Sequence, residues 1–106
     1  ESALPKDATP AQKAQTWNRM GRMYADAKRY REAIKVFKEV RDLGGAPSDA
    51  KAEATYRSGE CYWAIGYRSS ARACMKEVIR ECPASEWARK SSGTVYVWDE
   101  YSDQMR

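Results

Sequence analysis

The sequence repeats one small signature three times. Gly21 stands three residues before Tyr24, Gly59 three before Tyr62, and Gly93 three before Tyr96, at intervals of 38 and then 34 residues. A second set recurs at the first of these intervals: Ala33, Phe37 and Val40 align with Ala71, Met75 and Val78. Self-similarity at this period belongs to helical repeat arrays, in which each unit buries its apolar face only against its neighbours. The chain is therefore expected to be all-α: an α-solenoid of two helix-turn-helix repeats followed by one unpaired or capping C-terminal helix.

The local signals agree with that layout. Residues 1–10 hold Pro5 and Pro10 and read as an extended leader, with the repeat domain over 11–106. Thr9 is placed to cap the first helix, with Pro10 in its first turn and Gln12 three residues after the cap. That helix is expected to run to about Ala27, with Trp17, Met20, Gly21 and Tyr24 at the spacing of one buried face. A second helix over Tyr30 to Leu43 buries Ala33, Phe37 and Val40, and Gly44 and Gly45 stop it. Ser48 or Asp49 caps the third, expected from about Ala50 to Ile65, where Gly66 breaks it. The fourth covers Ser69 to Cys82 and ends at Pro83. Ser85 caps a fifth that runs toward Ser102, with Ala88, Gly93, Tyr96 and Val97 expected inside. The repeats fall at about 14–47 and 52–85, with a partial third over 86–106.

Three glycines inside helices need a reason, because each costs on the order of 1 kcal/mol against alanine. Recurrence at matched places predicts that another helix crosses close to each one. Ala33 and Ala71 are the small partners on the second helix of each pair.

Composition narrows the function. Of 106 residues, 42% are hydrophobic and 32% charged, as in a helix-rich folded chain, and no apolar run approaches the ~20 residues that span a bilayer. The net charge of +4 is spread among 19 basic and 15 acidic residues, a mixed surface rather than a nucleic-acid footprint. Histidine is absent, which removes the commonest general base and metal ligand. There is no phosphate-cradling glycine loop and no cysteine beside an activating base. No catalytic residue, metal site or cofactor is expected. Cys61, Cys74 and Cys82 lack metal-binding spacing and read as small buried hydrophobes, with a Cys61–Cys74 bridge as the alternative.

With these residues in view, the chain resembles the tetratricopeptide repeat family. The first unit carries Trp17, Met20, Gly21, Tyr24, Tyr30, Ala33, Phe37 and Val40. The second carries Gly59, Tyr62, Gly66, Ala71, Met75, Val78 and Pro83, with Thr55 in the tryptophan's place. The third carries Gly93 and Tyr96. The resemblance implies antiparallel helix pairs stacked in a right-handed superhelix whose concave face is lined by the first helix of each pair. The phrases Pro47-Ser48, Ala52-Glu53-Ala54-x-Tyr56-x-x-Gly59-Glu60-x-Tyr62 and Pro83-x-Ser85-x-x-Ala88 are similar to those of bacterial envelope proteins. These include outer-membrane assembly lipoproteins and the periplasmic coordinator of cell division that works with the Tol system. That narrower resemblance implies export to the periplasm or envelope; the family at large also accommodates the cytoplasm. Asn18, Arg22 and Arg57 depart from the Lys and Asn clamp with which some members hold a C-terminal carboxylate, so that activity is not carried over.

Partner-binding residues are expected on the first helices, one step round from the buried stripes: Asn18, Arg22 and Ala25, then Tyr56, Glu60 and Trp63, then Lys90, Thr94 and Val97. Arg19, Arg57 and Trp98 lie at the margin. Aromatic anchors beside charges of both signs suit protein recognition. For Trp63 and Tyr56, packing between units is the alternative role. Trp98 is read as a lid on the open end of the array, as a mark of where further sequence packs, or as a dimer contact through the C-terminal helix. The function expected is a non-catalytic module that binds a peptide or protein segment. A structural spacer or self-association element of a larger protein is the alternative. RNA binding would rest only on the basic excess of the first half and lacks code-like repetition.

Overall fold

The computed structural model describes residues 6–104, with side chains over 6–100. Residues 1–5, half of the expected leader, lie outside the described residues. Five helices follow in order: α1 (Pro10–Asp26), α2 (Tyr30–Asp42), α3 (Ser48–Ala64), α4 (Arg68–Glu81) and α5 (Glu86–Gln104). The all-α repeat architecture is the one the sequence period demands.

The helix ends show why the sequence breaks where it does. Thr9 and Gln12 form a complete capping box on α1: the Gln12 N–H donates to Thr9 Oγ1 at 3.1 Å, and the Thr9 N–H donates to Gln12 Oε1 at 2.9 Å. Ser85 Oγ accepts from the Ala88 N–H at 3.0 Å and caps α5. At α3 the helix starts one or two residues earlier than expected. Pro47 occupies the cap position, Ser48 is already helical, and no side chain caps this end. Proline fixes φ near the helical value, which suits the chain's entry into the helix. After α3, Gly66 takes φ +90, and the N–H groups of Tyr67 and Gly66 return to the carbonyls of Tyr62 and Trp63. This is the Schellman closure that a left-handed residue permits. The same closure ends α1, but there the left-handed residue is Lys28, at φ 64.

The two complete pairs pack as the repeated glycines require. A Cβ on Gly21 would strike the edge of the Phe37 ring. One on Gly59 would lie 2.7 Å from Met75 Cε, 3.1 Å from Cys74 Cβ and 3.2 Å from the Ala71 carbonyl oxygen. Phe37, Val40, Met75 and Val78 are enclosed, and each contributes roughly 1.5–3 kcal/mol of apolar burial. The core is divided into patches along the array rather than gathered at a centre, within overall extents of 52 × 30 × 16 Å.

Helix α5 departs from the repeat. Gly93 has no atom within 4 Å of a Cβ built on it, and Tyr96 and Val97 are 66% and 60% exposed. The expectation that Gly93, Tyr96 and Val97 lie inside is corrected. Among the described residues no second helix of a third pair exists to cover them. α5 instead buries Trp87, Ala88, Ser91 and Trp98 against α3 and α4. Of its expected interior residues only Ala88 is enclosed.

All three cysteines are free, and the Cys61–Cys74 bridge is not formed. Burial pushes the Cys61 thiol up to about 12 and raises that of Cys74, so both behave as small apolar side chains. Cys82 is half-buried, with its sulfur 3.8 Å from the Ser48 carbonyl oxygen.

Candidate functional site: the inner wall of the array

The first helices of successive units touch one another, α1 with α3 and α3 with α5, whereas the second helices α2 and α4 do not pack directly. Closer spacing on one side than on the other curves a stack toward the closer side. The inner wall is thus built from α1, α3 and α5. On the outer side the long side chains of Arg41 and Glu77 bridge α2 and α4 at 3.1 Å.

Two clefts open among the helices that build the inner wall. One, of about 450 Å³, lies between α1 and α3; Arg22, Ala25, Asp26, Arg57 and Glu60 line it, with Phe37 among its lining residues. The other, of about 410 Å³, lies between α3 and α5 and is lined by Tyr56, Lys90, Thr94 and Val97. Glu53 anchors two cations of the first cleft: its Oε2 accepts from Arg22 Nη1 at 3.2 Å and from Arg57 Nε at 2.9 Å. Partial desolvation raises the Glu60 carboxyl above its usual range, opposed by the Arg57 charge, the Tyr56 hydroxyl and the Lys90 charge.

The expected site residues divide when placed in the fold. Arg22, Arg57, Glu60 and Lys90 reach the clefts. Tyr56 lines the second cleft but is half-buried there. Its ring lies 5.6 Å from that of Trp87, its hydroxyl shares a hydrogen bond with Thr94 Oγ1 at 3.3 Å, and burial raises its pKa. Asn18 is only 3% exposed, and its Nδ2 donates to the Ala50 carbonyl at 3.2 Å, a strap from α1 to α3 rather than an open contact. Trp63 and Trp98 stack on each other, ring centroids 4.1 Å apart and 2° from parallel, with the Arg68 guanidinium 4.2 Å from the Trp63 ring. Trp98 is buried, and the stack joins α3 to α5. Arg72 lies 5.8 Å from the Trp63 ring and pairs with Asp99. The aromatic anchors expected in the groove thus serve mainly as mortar between units, leaving a wall dominated by charges of both signs.

Sequence reasoning passed over Trp87 and Glu53. Trp87 sits between Tyr56 on one side and the cations Arg57 and Lys90, at 5.3 and 5.6 Å, on the other. Its signal was its position eleven residues before Trp98, a spacing that puts both indoles on one face of α5. Glu53 was legible as the residue four before Arg57, an ordinary helix pair.

The described residues contain no cluster of histidine, cysteine or carboxylate groups fit to hold a metal, and none of their helices is long and apolar enough to cross a membrane. No curated protein and no solved structure matches the chain significantly. A family model for the tetratricopeptide repeat does match, over residues 14–41 and 52–85, the two stretches that form the complete helix pairs. With the match covering more than half of the chain, and with glycine-to-helix packing repeated in both units, the chain belongs to the tetratricopeptide repeat family, whose repeats generally mediate protein–protein interaction.

Proposed function

We propose that the inner wall binds a segment of another protein, laid across α1, α3 and α5. The observation that carries this is the cleft of about 450 Å³ between α1 and α3, where Arg22 and Glu60 remain accessible at the rim. Charges of both signs around a concave strip favour a polypeptide, which can present both, over nucleic acid, which needs a continuous basic track. The partner is read as a peptide segment and the role as non-catalytic. An envelope location belongs to this proposal as well and is supported by the sequence phrases around Pro47, Tyr56 and Pro83.

The test is selection of phage-displayed random peptides on the immobilised chain. Enriched peptides should lose binding to the Arg22→Ala/Glu60→Ala double variant, whose circular dichroism should match the native protein. Enriched peptides that bind both equally, or no enrichment at all, would refute the inner-wall reading. Trp63 is unsuitable for this test because its removal would also release α5.

A second reading, self-association, is favoured by one specific observation: the exposed Gly93, Tyr96 and Val97 on α5.

A further inference from the structure

In both complete units, the glycine of the first helix is filled by a large side chain from a second helix that runs antiparallel to it. Phe37 covers Gly21, and Met75 covers Gly59. On α5 the same place, Gly93, is open. Around it the exposed side of α5 presents Arg89, Tyr96 and Glu100. Counted along the chain, Arg89, Gly93, Tyr96 and Glu100 are spaced four, three and four apart, which puts them on one stripe opposite the buried Trp87, Ser91 and Trp98.

That stripe is a palindrome. Reversed and laid on itself, it sets Tyr96 of each copy over Gly93 of the other, and Arg89 of each opposite Glu100 of the other. We propose that α5 pairs antiparallel with α5 of a second copy in this register, the second copy covering the face that stands open among the described residues. The proposal rests on the self-association reading above.

Two features favour a second copy over an ordinary amphipathic helix. The N-terminal end of the stripe is basic, Arg89, and its C-terminal end is acidic, Glu100. Antiparallel copies bring opposite charges together at both ends, whereas parallel copies stack like on like. Moreover, Arg89 stands 34 residues after Thr55, which is buried in α3. An apolar helix covering α5 as α4 covers α3 would seal the Arg89 guanidinium against hydrocarbon without a partner, and such a charge is strongly destabilising. Glu100 of a second copy supplies that partner. Two single helix faces bury less than about 1,000 Å², so the dimer belongs to the weak, concentration-dependent class.

Sedimentation equilibrium of the chain over a range reaching high concentration tests this. The native chain should dimerise. Arg89→Glu and Glu100→Arg should each weaken the dimer by about tenfold, since each turns two attractions into repulsions. The Arg89→Glu/Glu100→Arg double variant should recover it. Both substitutions are at exposed sites, and circular dichroism should confirm an unchanged helix content in all three variants. A dimer insensitive to the single variants, or one that the double variant fails to recover, overturns the register while leaving self-association intact. A strict monomer at every concentration overturns both.

Discussion

At the scale of single residues, the repeated glycine means different things at its three positions. Gly21 and Gly59 are sites of close approach, and Gly93 lies on an open helix face. Alanine should therefore have opposite effects. At Gly21 the added methyl meets a fully enclosed aromatic ring that cannot retreat, and Gly21→Ala should destabilise by roughly 1–3 kcal/mol. In the single chain a methyl at Gly93 meets only solvent, and Gly93→Ala should stabilise the monomer, at concentrations too low for pairing, by up to about 1 kcal/mol through helix propensity. Denaturant melts of the two variants check this, and equal effects would show that the third signature packs like the first. The sequence could not separate these cases, because identity at a repeat position carries no information on whether a covering helix exists. Tyr96 misled for the same reason. Asn18 misled for another: its place on the helix wheel is that of a groove residue. Only the approach of the α3 backbone, which supplies the Ala50 carbonyl, turns it into an internal strap.

At the scale of elements, the helix boundaries were largely legible, because they are set by local chemistry. The Thr9–Gln12 box, Gly66, Pro83 and Ser85 all act within a few residues of themselves. The end of α1 near Ala27 was legible too, and what escaped was the residue that closes it. Lys28 precedes Gly66 by 38 residues, the repeat interval, and does the same left-handed work with a side chain that disfavours it. Lys28→Gly should accordingly stabilise the chain by about 1 kcal/mol, read as a raised melting temperature. A fall would mean that the closing turn depends on the lysine side chain. The inner wall was less legible than the helix ends. Trp63, Trp98 and Tyr56 were read as groove anchors with packing as the alternative, and their contacts with one another and with Trp87 give packing the larger part. Aromatic residues near a unit boundary find each other because stacking adds roughly 0.5–1.5 kcal/mol beyond the area buried.

At the scale of the whole molecule, the array is a scaffold whose second helices hold the outside and whose first helices form a wall. Its large aromatic groups join units, and in the proposed function recognition falls to Arg22, Glu53, Arg57, Glu60 and Lys90. These charges partly neutralise one another in the free protein, through the Arg22–Glu53–Arg57 arrangement. Such pre-set charges orient a partner and speed encounter more than they add affinity, so binding should be salt-sensitive and modest. The inner wall and the outward stripe of α5 lie on different sides of the same helix, so a partner segment and a second copy can be held together. The measurement that tests this division most directly is amide chemical-shift mapping of the chain with a peptide selected on it. The account predicts shifts concentrated on α1 and α3 around Arg22, Arg57 and Glu60, extending to Lys90 on α5. Shifts confined to α2 and α4, or to the Arg89–Glu100 stripe, would contradict it.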